Sequence, residues 1–189
     1  MIGADFAAVL TAAQHGNEAA FERLWHDSQP PLLRYLHVIA PDTAEDIAAE
    51  TWTHVVRGLA RFCGDEKNWR AWLFTTARRR VIDQTRQLMR RPTTSLEALP
   101  DLAQADVPGV SSPDTADLAL ENLATWAAIE VIGHLPRLQA EVIMLRVVAG
   151  LDTEAAARLL DRSPGAIRVA SHRGLQRLAS MLTETGVTQ

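Results

Sequence analysis

The sequence predicts an all-α protein: two small helical domains joined by a flexible acidic linker, the C-terminal one a helix-turn-helix. Three observations predict it. Apolar residues recur at helical spacing along most of the chain, with no strand-like alternation and no glycine hairpin turn between apolar runs. Between residues 92 and 113 the stripe stops. Pro92, Pro100, Pro108, Gly109, Ser111, Ser112 and Pro113 punctuate a segment too long for a loop inside one compact domain. Beyond residue 150, helix stop and start signals fall a few residues apart. The boundaries implied are 1–91, 92–119 for the linker, and 120–189.

The N-terminal elements follow from caps and prolines. Asn17 is positioned to cap a helix carrying Phe21, Leu24 and Trp25, which Pro30 and Pro31 are expected to end. The next helix holds Leu32, Leu33 and Leu36 and stops at Pro41. Asp42 with Glu45 has the spacing of a capping box, and a helix to about Arg61 carries Ile47, Thr51, Val55, Val56 and Leu59 at helical spacing. A polar loop then leads into a long helix from about Asn68 to Arg90, with Trp72 and Phe74 assigned to the core.

After the linker, helix resumes near Asp114 with Leu118, Leu123 and Trp126 inward. A helix from Arg137 to Ala149 presents Leu138, Val142 and Leu145, and Gly150 is its stop. Asp152 or Thr153 caps a short helix holding Ala156, Leu159 and Leu160. Asp161 and Arg162 turn, Ser163 caps, and Pro164 takes the first position of a helix carrying Ile167, Ala170, Leu175, Leu178 and Leu182. A short helix, a tight turn and a longer helix make the helix-turn-helix.

Composition narrows the function classes. The formal charge of −4 argues against a strong stand-alone nucleic-acid binder. The charges are segregated, though: six arginines and one acid, Asp83, lie between Arg78 and Arg91, and six acids with no base lie between Pro92 and Glu121. Cys63 is the one cysteine, so no internal disulfide can form. No run approaches the roughly 18 apolar residues of a membrane helix, and the N-terminus lacks the basic start of a secretion signal. Membrane insertion is not expected, and a cytoplasmic location is. The histidines are scattered, with no HExxH, no cysteine pair, no glycine-rich phosphate loop and no nucleophile elbow. Neither enzymatic activity nor a metal or cofactor is expected.

Three faces remain as candidates. On the last helix, Arg168, Val169, His172, Arg173 and Gln176 stand opposite the inward residues, suited to phosphates and base edges in a major groove. Ser163 marks the helix N-terminus, which favours a phosphate. In the middle segment, Asp65, Lys67 and Asn68 can hydrogen-bond a base edge and Trp69 can offer a stacking face. Arg79, Arg86 and Arg90, on one side of a helix, can hold strand phosphates. Asp42, Glu45, Asp46 and Glu50 crowd the start of another helix, where by pattern alone they complement its dipole.

These segments, in this order, resemble the extracytoplasmic-function (group 4) sigma factors of the sigma-70 family. Residues 43–52, TAEDIAAETW, resemble the acidic helix that docks on the polymerase's clamp helices. Residues 62–78, FCGDEKNWRAWLFTTAR, resemble the promoter-melting segment, whose loop takes a flipped base of the minus-ten element. Residues 135–146, LPRLQAEVIMLR, with Gly150, Leu151, residues 165–168, His172 and Arg173, are similar to the module that reads the minus-thirty-five element. Ala49 stands where the family often has Gln, Trp52 where it often has Phe, and Val169 with Ala170 where a Ser–Arg pair is frequent. The resemblance implies a non-enzymatic subunit that directs promoter-specific initiation, with core RNA polymerase, promoter DNA and an anti-sigma factor as partners. The alternative is a conventional helix-turn-helix transcriptional regulator.

Overall fold

The computed structural model describes the backbone of residues 2–90 and 115–184 and, within these, the side chains of 2–89 and 124–183. Its regular structure is helical, with no strand among the described residues. The N-terminal group comprises α1 (Phe6–Gln14), α2 (Glu18–Ile39), α3 (Ala44–Gly58) and α4 (Glu66–Arg90); the C-terminal group comprises α5 (Thr115–Gly133), α6 (Arg137–Ile143), α7 (Thr153–Leu160) and α8 (Pro164–Glu184). The linker expected at 92–119 lies almost wholly outside the described residues, as do the side chains of Leu118 and Leu123.

Asn17 caps α2 as expected, its Oδ1 accepting the Ala20 N–H at 2.8 Å. Pro30 and Pro31, however, do not end that helix; α2 runs through both. Each proline removes one helical N–H. The cost is met by burial on one continuous face, where Leu24, Ser28, Leu32, Tyr35 and Leu36 lie on both sides of the pair. The capping box at Asp42 is also not formed. Residues Pro41–Thr43 make a 3-10 turn, α3 starts at Ala44, and the Thr43 hydroxyl bonds Gln84 on α4 instead.

In the C-terminal group α6 widens into a single π turn, Met144–Val148, before stopping at Gly150, whose φ of 68° needs a residue without a side chain. Asp152 caps α7, its Oδ1 accepting from Ala155 N at 2.7 Å. Asp161 makes the turn in the left-handed region, and Ser163 Oγ accepts from Ala166 N at 3.2 Å ahead of Pro164. This is the helix-turn-helix the cap signals predict. Trp126, Leu138, Leu175 and Leu182, expected inward, are exposed. For Leu175 the reason lies one residue before it. Gly174 faces α6 so closely that a Cβ there would sit 2.7 Å from Ile143 Cδ1. The buried stripe of α8 therefore passes through Ile167, Ala170 and Gly174, and Leu175 turns out.

The two groups are not beads on a string. Helix α2 packs on α5 and α6, and α4 packs on α7, so one apolar core runs from Leu36 and Phe74 into Val142 and Leu145. Among the described residues no helix is long and apolar enough to cross a membrane, and no group of His, Cys, Asp and Glu converges as a metal site.

Candidate functional site

Three surfaces carry the candidate residues. On α3, Ile47, Ala48, Thr51, Trp52 and Val55 are buried. The helical period therefore turns Glu45, Asp46 and Glu50 outward, with Asp42 exposed on the turn before them. The Glu45 carboxylate meets His37 Nε2 of α2 at 3.1 Å. Among the described residues no cation is paired with Asp46 or Glu50. The result is an exposed acidic face at a helix N-terminus, aimed away from the core.

The middle surface departs from its sequence reading in an instructive way. Helix α4 begins at Glu66, two residues earlier than expected, because Asp65 Oδ1 accepts the Asn68 N–H at 2.8 Å and caps it. The connecting loop shrinks to residues 62–65, and Lys67 and Asn68 stand exposed on the first helical turn. Trp69 is a correction. It is 1% exposed, packed against Phe6, Trp52, Phe62 and Trp72, with its indole N–H donating to Ser28 Oγ at 3.0 Å. An indole enclosed in this way has no face to offer a base.

A more accessible aromatic pair lies nearby. Trp72, expected in the core, is only half-buried. Its ring lies nearly parallel to Phe62, centroids 5.0 Å apart and 20° between planes. The pair walls a pocket of about 550 Å³ whose rim carries His54, Arg57, Arg61 and Cys63. Sequence reading missed this site. The available signal was Arg57, in the last turn of α3, and Arg61, four residues on in the 3-10 turn that follows. Arg79 and Arg86 are exposed along α4, while the Arg90 side chain lies outside the described residues.

The third surface lies on the outer side of the last helix, where helical period puts it. Ser163, Arg168, Val169, His172, Arg173 and Gln176 are all exposed on the outer side of α8 or at its start. Arg168 approaches Glu154 of α7 at 3.7 Å, but both side chains are more than half exposed, so the pair holds Arg168 weakly.

Comparison with known proteins joins these surfaces into one kind of molecule. Residues 24–91 match the family model for sigma-70 region 2, and residues 126–178 match the one for sigma-70, region 4. The chain is 32% identical to the ECF RNA polymerase sigma factor ShbA of Streptomyces griseus, over 92% of this chain and 93% of that one. It is 29% identical to the ECF RNA polymerase sigma factor SigD of Mycobacterium tuberculosis, over 98% and 88%. Among solved structures, its fold is similar to CnrH in complex with the cytosolic domain of CnrY, with a TM-score of 0.57 at 21% identity, covering 95% of this chain and 97% of that one. It is also similar to the sigma factor RpoE in complex with the anti-sigma factor NepR from Bartonella quintana, with a TM-score of 0.58 at 23% identity, covering 86% and 96%. With both sigma-70 regions present in order and a relative matched along almost its whole length, the chain belongs to the extracytoplasmic-function sigma factors, the subunits that direct RNA polymerase to promoters.

Proposed function

We propose that this chain docks on core RNA polymerase through Asp42, Glu45, Asp46 and Glu50, reads the minus-thirty-five element with α8, and opens the minus-ten element with the loop and first turn of α4. The segments would divide as 1–91, a linker at 92–119, and 120–189. The observation that carries the melting role is the Phe62–Trp72 pocket with arginines at its rim. Strand opening needs a place for an unstacked base, and an aromatic wall beside cations supplies stacking and charge together. Asn68 and Lys67 border the same loop and can reach a base edge, and Arg79 and Arg86 continue the cationic path along α4. A conventional helix-turn-helix regulator has no use for such a pocket. The subunit works by binding alone, inside the cell where polymerase is. The Bartonella relative was solved with an anti-sigma factor, and we infer a partner of that class here.

The test is transcription of genomic DNA fragments by core polymerase with and without the chain, with mapped 5′ ends. New start sites sharing two upstream elements support the reading; no new start sites, with core polymerase active on a control sigma factor, removes it.

The upstream reader has its own expected result. Arg168→Ala or Arg173→Ala should weaken promoter binding by holoenzyme by about 1–3 kcal/mol where the lost contact is bidentate to a base. A phosphate contact would instead weaken all sequences alike and flatten the salt dependence. Electrophoretic shifts at two salt concentrations separate the two, and normal binding by both variants would take the reading role away from α8.

A further inference from the structure

We propose that the free chain holds its two DNA-reading halves shut through a buried carboxylate latch centred on Glu141, and that this latch must break before a promoter can be bound. Glu141 sits in α6 between Ala140 and Val142, and it is 6% exposed. A buried carboxylate requires close partners. Both of its hydrogen-bonding partners come from the other half of the molecule. Arg78 Nε of α4 donates at 2.7 Å, and the Tyr35 hydroxyl of α2 donates at 3.0 Å. Burial first, and then the neighbouring Glu141 charge, raise the Tyr35 pKa well above that of an ordinary phenol, so the hydroxyl keeps the proton it donates.

A second tie lies along α4. Arg70, paired with Asp27 and Glu66, extends Nη1 to the Ala149 carbonyl at 3.3 Å. The Glu66 carboxylate also accepts the Ile2 and Gly3 N–H groups at 3.0 Å each. The network thus joins the N-terminus, the first turn of α4 and the end of the π turn. Apolar contacts complete the closure, with His37 edge-on to Trp126 at 4.9 Å.

Closure is incompatible with the proposed function, on which this consequence rests. Promoter elements centred near minus ten and minus thirty-five are about 85 Å apart at 3.4 Å per base pair. A compact chain of this length has a radius of gyration of about 16 Å, so its folded halves do not reach both elements. The closed arrangement also places α7 over one side of α4. Arg78 and Arg79 face Arg158 and Leu159 across a narrow cleft of about 330 Å³, which leaves the start of the proposed strand path partly covered. A buried carboxylate matched in geometry to a partly buried guanidinium adds little net stability but strong orientation. Such a latch fixes one closed pose and releases both ions to water on opening.

The experiment measures distance in the full chain. Nitroxides on the native Cys63 and on Ser180→Cys, both exposed positions, report the separation of the halves by double electron–electron resonance. The free wild type should give one narrow, short distribution. Glu141→Gln and Arg78→Gln should broaden it and move it outward by tens of ångströms, with helical circular dichroism retained. Tyr35→Phe, nearly isosteric, keeps the test valid should either charge variant fail to fold. If the closed form outnumbers the open one about a hundredfold, opening variants gain up to about a hundredfold in apparent affinity for core polymerase. A broad wild-type distribution, or narrow ones in the folded variants, overturns the latch. Opened variants that, like the wild type, bind no polymerase leave the latch standing and count against the proposed function instead.

Discussion

Trp69→Ala is expected to cost about 3–5 kcal/mol of folding stability, the range for removing a large aromatic side chain from a core. The indole is in contact with aromatic rings from α1, α3, α4 and the loop before α4, and its N–H is satisfied by Ser28. Truncation therefore opens a cavity where α2, α3 and α4 meet and strands the Ser28 hydroxyl. Urea unfolding of the free chain gives the number. Trp72→Ala supplies the contrast. Its ring is half-buried at a pocket wall, so the stability loss should be the smaller of the two while promoter opening suffers more. If Trp69→Ala unfolds at the wild-type midpoint, the core assignment of Trp69 is wrong and its role in base stacking returns.

Asp46→Arg combined with Glu50→Arg should reduce holoenzyme formation by two orders of magnitude or more. Reversing an interfacial charge removes an attraction and adds a repulsion, a few kcal/mol in total, and about 1.4 kcal/mol is tenfold in affinity. Both side chains are exposed and neither supports the core, so thermal stability should be nearly unchanged. Titration of labelled core polymerase with the variant chain measures the loss. Undiminished binding by the folded double variant would move the docking surface off α3.

The helix-turn-helix was legible because its signals are local. Asp152 and Ser163 are caps that act within three residues, and Gly150 stops a helix by its own conformational freedom. The acidic face of α3 was legible for the same reason, since helical period alone separates Asp46 and Glu50 from Ile47 and Thr51. What failed depended on distant partners. Pro30 and Pro31 read as a helix break because the compensating burial along α2 comes from other helices. Trp69 and Trp72 exchanged roles. Three residues apart on one helix, they differ in exposure through what α1, α2 and α3 place over Trp69. Leu175 looked like a core residue because a glycine, Gly174, does not look like one. The Glu141 latch was invisible for the deepest reason. Its donors lie 63 and 106 residues away, and nothing in the LPRLQAEVIMLR stretch marks the glutamate as buried.

In the proposed function this chain opens promoter DNA in partnership with polymerase. Permanganate footprinting of unpaired thymines on a duplex promoter tests it most directly. Core polymerase with the wild-type chain should make thymines of the minus-ten element reactive, and neither component alone should do so. Holoenzyme carrying Asn68→Ala or Trp72→Ala should bind the same promoter and give weaker reactivity. The contradicting result is a duplex that the chain binds by itself and that stays unreactive when core polymerase is added, the behaviour of a conventional helix-turn-helix regulator.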